Sequence, residues 1–272
     1  MRKHRSWPIL DVHCHIGPPL LAEDLIKLMD KAGVDKAVAF PTPFVWSLPM
    51  KENYYNTNDY IADAQNKYPE RLIGFACINP MYGGNPELGM PNLAAKELER
   101  CIRQLGLKGI KIHPENHCFA VDALVDSEFM RTVVGLQEEL AITLPIVSHG
   151  MTTLGAQPDQ FAKVASCYPS VPIVIAHGAG FQNLYFPSIK PVTQCANLFV
   201  DTTMTTVDDS HLLNVTEIIG VEKVVFGSDH FGRNQGHLYE NFIYVLERAF
   251  PRAEDQERVL GGTLAKILGI MG

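Results

Sequence analysis

Long apolar runs are missing from this chain. The longest, such as Val171–Ala176 and Val224–Gly227, fall far short of the about 18 residues that a membrane-crossing helix requires, so no membrane partner is expected. Excess positive charge is missing too: 23 Lys and Arg stand against 30 Asp and Glu among 272 residues, a net charge of −7. That balance argues against nucleic acid as a partner, because a phosphate backbone requires a basic face. The six cysteines (Cys14, Cys77, Cys101, Cys118, Cys167 and Cys195) include no CxxC pair. They read as reduced thiols rather than a disulfide framework or a Cys-rich zinc site. No Gly-x-Gly-x-x-Gly follows the first apolar run and no Walker loop occurs, which weakens a dinucleotide-binding reading. The basic start Met1–Arg5 is followed by Asp11, His13 and His15 where the apolar core of a secretory leader would lie, so the expected place is the cytoplasm.

What is present is an alternation. Short β-rich runs lie at Ile9–His15, Lys36–Phe40, Leu72–Ile78, Gly109–His113, Leu144–His149, Pro172–His177, Leu198–Asp201 and Lys223–Asp229. Segments of helical spacing lie between them: Ala22–Ala32, Thr57–Tyr68, Asn92–Leu105, Ser127–Glu139, Gln157–Tyr168, Ser188–Cys195, Asp208–Ile219 and Gly236–Phe250, with a last one at Ala253–Leu268. Eight βα units in a chain of this length predict an α/β fold: a single (β/α)8 TIM barrel over residues 1–272, distortion allowed for, with an additional C-terminal helix. No linker or low-complexity segment divides the chain.

Polar residues sit where these runs end. His13 and His15 are two apart, so they share one face of the first strand, and Val12 and Cys14 are predicted on the other. The fifth run ends at His149, the sixth at His177 and the eighth at Asp229, while the fourth puts Lys111 and His113 on one face. A parallel barrel gathers its strand C-termini at one mouth. Imidazoles and a carboxylate meeting there suit one divalent ion, zinc first with manganese or iron as alternatives, which lowers the pKa of a bound water. His113 has three readings: substrate contact, a second ion, or packing in the mouth. Substrate contact is favoured. Asp11 and Lys111 are both predicted to point inward below the ligands, as a buried pair or with the residues behind them.

These residues sit in pieces that resemble a known family. LDVHCHIG at 10–17, GIKIHP at 109–114, IVSHG at 146–150, IVIAHGAG at 173–180, LFVDTT at 198–203 and VFGSDHF at 225–231 resemble the metal-dependent amidohydrolase superfamily. The likeness is to its amidohydrolase-related branch, which includes aminocarboxymuconate-semialdehyde decarboxylase and the resorcylate decarboxylases. The resemblance implies that His13, His15, His149 and Asp229 are metal ligands and that Asp229 also accepts a proton. It implies that His177 polarises substrate or moves a proton. Two departures stand out: Gly262-Thr263-Leu264-Ala265 replaces a common Gly-Asn-Ala, and His230-Phe231 replaces an aromatic residue and proline after Gly-Ser-Asp. Some members bridge two ions with a carboxylated lysine on the fourth strand; Lys111 lies one alternation before His113, and a single ion is favoured.

The first expectation is therefore a metal-dependent hydrolase attacking an amide, lactone or ester carbonyl of a small molecule. The alternative is a non-oxidative decarboxylase at the same site, with Arg233 binding a substrate carboxylate. A catalytically silent metal-binding barrel is a third reading. Association into a homo-oligomer is left open.

Overall fold

The computed structural model describes residues 6–17, 20–41, 50–83, 92–151, 154–178, 186–203, 210–230 and 236–270. The β-branched runs form strands β1 (Leu10–Ile16), β2 (Lys36–Pro41), β3 (Leu72–Cys77), β4 (Gly109–Ile112), β5 (Ile146–Ser148), β6 (Ile173–Ile175), β7 (Leu198–Asp201) and β8 (Val224–Val225). All seven neighbouring pairs are parallel, in the order β1 to β8. Beyond the end of β8 the chain runs on along β1. Val12 N–H donates to Phe226 O at 2.9 Å, Asp229 N–H to His13 O at 2.9 Å and His15 N–H to His230 O at 2.8 Å. These bonds bring the last strand to the first and make the distorted (β/α)8 barrel that the alternation predicts.

Between the strands lie α1 (Ala22–Ala32), α2 (Met50–Lys67), α3 (Leu93–Arg103), α4 (Pro114–His117), α5 (Glu128–Leu140), α6 (Pro158–Cys167) and α7 (Ser210–Ile219), and α8 (Gly236–Ala249) follows β8. Their starts carry local signals: the Asn92 side chain accepts from Ala95 N–H at 2.9 Å, and Ser127 accepts from Met130 N–H at 3.1 Å. α3 buries one stripe, Ala94, Leu98, Cys101 and Ile102. The predicted helix at 188–195 is instead a 3-10 segment over Phe186–Gln194 that contains Pro191. Proline lacks the N–H that an α-helix interior needs. Among the described residues no helix is long and apolar enough to cross a membrane.

Two apolar layers follow from the strand alternation. Ala37, Ala39, Ile110, Ile112, Ile146, Ile173 and Val200 face the helices. Val38, Phe40, Phe75, Val147, Val174 and Val225 fill the interior with Leu10 and Val12. Leu264 and Ile267 close that interior, so the C-terminal segment plugs the end opposite the strand C-termini.

The strict alternation expected in β1 fails. Its register slips between Asp11 and Cys14, a bulge that places one extra residue in the strand. Val12 therefore joins the interior, while Asp11 turns outward with Cys14, whose Sγ lies 3.0 Å from Asp11 Oδ2. This overturns the pairing of Asp11 with Lys111. Lys111 does point inward, with Nζ 4.6 Å from the Phe40 ring centroid, but Asp11 is on the other side of the sheet. There it accepts from His13 N–H and Ser228 N–H and ties β1 to the end of β8.

The closing helix is also not continuous. It is α9 (Ala253–Glu257), a π turn (Arg258–Gly262) and α10 (Thr263–Leu268). The wider turn lets Val259 O accept Phe226 N–H at 2.8 Å, which fastens the plug to β8. A Cβ on Gly261 would collide with the Pro8 carbonyl oxygen. Gly261→Ala is expected to lower the unfolding free energy by about 1–3 kcal/mol, seen as a lower urea midpoint at unchanged slope. An unshifted midpoint contradicts this packing.

Candidate active site

The β1 bulge turns both histidines of the first strand into the mouth, where both are buried. Asp229 follows β8 in the left-handed backbone region, at φ 55°, which swings its side chain off the strand and toward them. His13 Nε2 lies 3.3 Å and His15 Nε2 3.1 Å from Asp229 Oδ1. Among the described residues these three are the group whose donor atoms all lie within 4.8 Å of one another.

The bonds behind the rings decide what the front atoms are. His15 Nδ1 lies 2.7 Å from Pro41 O; a carbonyl only accepts, so Nδ1 carries the proton. Burial pushes the His15 imidazole down to about 4, against the opposing pull of Asp229. It is neutral near pH 7, and its Nε2 presents a lone pair to a carboxylate oxygen. Two acceptors at 3.1 Å repel unless positive charge lies between them. His13 is shifted the other way. Burial and then Lys111 push it down, yet Asp229 and Asp201 together outweigh both and raise it. Burial favours the neutral acid at Asp229, but His13 and His15 hold it well below the usual carboxylate range. Two imidazole nitrogens and a carboxylate with fixed rings are a donor set that fits a divalent metal.

The other predicted residues stand beside this group. His177 follows β6, also left-handed at φ 65°, and its ring centroid is 5.5 Å from that of His13. Non-glycine residues in this region carry backbone strain that clusters at functional sites. The backbone at Gly178 packs closely: a Cβ there would sit 2.6 Å from Val200 Cβ. His149 lies outside the three-residue group, with Nδ1 3.0 Å from His177 Nε2 and Nε2 3.4 Å from Glu115 Oε2. Its ring stacks on that of His113 at 3.9 Å and 10°. His113 terminates β4 and caps α4, accepting Asn116 N–H at Nδ1. Lys111 Nζ is 3.4 Å from His13 Nε2, and burial lowers its pKa to about 8 against Asp229 and Asp201. Arg233 lies outside the described residues.

Asp201 was given no role in the sequence reading, although it ends an apolar run just as His149 and His177 do. It is fully buried, and its Oδ2 lies 2.8 Å from His13 Nδ1. Thr203 Oγ1 lies 2.7 Å from both His177 Nδ1 and Asp201 Oδ1. The signal was the LFVDTT piece itself: an inward acid two residues before a hydroxyl at a strand C-terminus.

Burial lowers the pKa of six imidazoles in and around the mouth: His15, His117, His177 and His230 to about 4, His149 to about 2, and His113 further still. An unfolded histidine takes up its proton near 6.5. Between about pH 6.5 and 4 the unfolded metal-free chain therefore binds more protons than the folded one, and stability falls as pH falls through that window. His13, raised instead, contributes stability that is lost as pH rises above 6.5, outside this window. Urea unfolding of metal-free protein is expected to give midpoints that decline as pH falls from 6.5 to 4. A midpoint that stays level to pH 4 contradicts the neutral assignments.

Known proteins share this architecture. Gamma-resorcylate decarboxylase of Polaromonas sp. strain JS666 is 32% identical over 93 residues, which are 32% of this chain and 26% of that protein. The chain thus spans about a quarter of the length of that curated relative. The structure of 2,6-dihydroxybenzoate decarboxylase from Rhizobium superposes with a TM-score of 0.67 at 15% identity, covering 98% of this chain and 100% of that one. That of 5-carboxyvanillate decarboxylase from Novosphingobium aromaticivorans, complexed with manganese, superposes at 0.69 with 17% identity, covering 97% and 96%. At these identities the structural likeness shows the shared barrel. The chain belongs to the amidohydrolase family, whose sequence profile matches residues 10–270, from the first strand through the closing helix.

Proposed function

We propose that the protein is a metal-dependent, non-oxidative decarboxylase of a small carboxylated ring compound. The observation that carries the metal requirement is the pair of acceptors, His15 Nε2 and Asp229 Oδ1, at 3.1 Å in a buried mouth. The ligand set suits hydrolysis and decarboxylation alike, and fold alone decides neither. The sequence match to a gamma-resorcylate decarboxylase favours the second over the hydrolase expectation.

In this reading His13, His15 and Asp229 hold one divalent ion and His149 completes the set. A bound ion supplies the positive charge that orients the oxygen atoms of the substrate. Zinc was the first expectation from the donor set; manganese is supported by the metal in the carboxyvanillate enzyme. The reaction adds a proton to the ring carbon bearing the carboxylate; the carbon–carbon bond then breaks, its electron pair returns to the ring, and CO2 leaves. Asp229 and His177 are the groups that carry protons. His177, neutral and anchored at Nδ1 through Thr203, turns Nε2 toward His149 Nδ1. His113 contacts substrate, and Arg233 binds its carboxylate. The six cysteines are all free, which supports the cytoplasmic placement.

His13→Ala is expected to lose bound metal and turnover together, read by elemental analysis and by CO2 release from a panel of carboxylated phenols. Retention of both contradicts the ligand assignment. His177→Asn is expected to keep its metal while kcat falls by about 10²–10⁴. Hydrolysis products from lactone or amide substrates, with no CO2 from the phenols, would return the hydrolase reading.

A further inference from the structure

We infer that Asp201 is a positioning residue whose one carboxylate sets the proton arrangement of His13 and His177 together. The inference rests on the proposed roles of His13 as a metal ligand and His177 as a proton carrier.

Asp201 ends β7 with no exposed surface. Its Oδ2 meets His13 Nδ1 at 2.8 Å. Its Oδ1 accepts His177 N–H at 2.7 Å, Thr203 N–H at 3.1 Å and the Thr203 hydroxyl at 2.7 Å. Two backbone N–H groups and a hydroxyl point at Oδ1 and the His13 ring at Oδ2, so the carboxylate meets donors on every side. An ionised carboxylate only accepts, so each of these partners donates. His13 therefore carries a proton on Nδ1 and turns Nε2 toward Asp229.

The same logic passes through Thr203. Its hydroxyl has one proton, and that proton is given to Asp201. The contact between Thr203 Oγ1 and His177 Nδ1 at 2.7 Å therefore requires His177 to donate from Nδ1, which leaves Nε2 as an acceptor, facing His149 Nδ1 at 3.0 Å. Two histidines on different strands, β1 and the end of β6, thus take the same tautomer from one buried acid. The opposite tautomer would place an N–H where His13 must offer a lone pair to a cation, and where His177 must take up a proton. A carboxylate that merely stapled β7 to its neighbours would leave both tautomers free.

Two near-isosteric substitutions separate these roles. Asp201→Asn puts an amide N–H2 within reach of groups that now donate to a carboxylate. Thr203→Val removes the hydroxyl and leaves the Asp201–His13 bond. Ring ¹⁵N chemical shifts of metal-free protein report which nitrogen of His177 is protonated, and chelator competition with zinc reports the affinity of the His13 centre. Wild-type His177 is expected on the Nδ1–H form. Asp201→Asn is expected to shift that tautomer and to lower zinc affinity by about 10–100-fold. Thr203→Val is expected to shift the His177 tautomer alone, with zinc affinity kept and kcat reduced at little change in KM. An Nε2–H wild-type His177, or an Asp201→Asn protein that changes only one of the two properties or neither, overturns the inference. If Asp201→Asn does not fold, Thr203→Val decides: an unchanged tautomer overturns it. Should wild-type protein fail to bind zinc, the ligand reading falls, while the His177 spectra still test the carboxylate's control of that ring.

Discussion

Repulsion between acceptors shapes the mouth of this barrel. Pro41 O takes the Nδ1 proton of His15, so its Nε2 lone pair faces the Asp229 carboxylate at 3.1 Å. The surroundings are buried, and the electrostatic cost of such a contact is larger there than in water. Folding forces the contact all the same. The β1 bulge aims His13 and His15 inward, the bond from Asp229 N–H to His13 O fixes the end of β8 against them, and Asp229 holds left-handed backbone. That backbone costs about 1–3 kcal/mol. Positive charge between the donors would relieve the repulsion.

The rest of the architecture keeps that geometry stiff. Asp11, on the outer side of the bulge, binds His13 N–H and Ser228 N–H with a single oxygen. It thereby joins the two strands that carry all three donors. The π turn fastens the closing helix to Phe226, two residues before Ser228. Apolar side chains from α10 fill the opposite end of the barrel. The stability of the plug and the alignment of the mouth are thus linked through β8.

Much of this was legible in the sequence. Apolar runs separated by helical spacing gave eight parallel strands, because burial on both faces leaves a signal that survives without tertiary information. The polar ends of those runs marked the mouth, and His13, His15 and Asp229 do converge there. What escaped were features that break a period. A bulge cannot be read from alternation, so Val12 and Asp11 were each assigned the wrong side. A π turn leaves the helical pattern of 253–268 intact while changing which carbonyl is released. Asp201 carried the same positional signal as His177, but a strand-end acid followed by Thr-Thr also reads as ordinary turn chemistry. The chemistry itself was the least legible, since hydrolysis and decarboxylation can share one ligand set.

The central claim is that His13, His15 and Asp229 close on a single divalent cation. Anomalous scattering from crystals grown with zinc or manganese tests it most directly. The account predicts one strong peak within about 2.0–2.2 Å of His13 Nε2, His15 Nε2 and an Asp229 oxygen. Metal-loaded crystals with no peak at that point, and with His15 Nε2 still facing Asp229 across an unbridged gap, would contradict it.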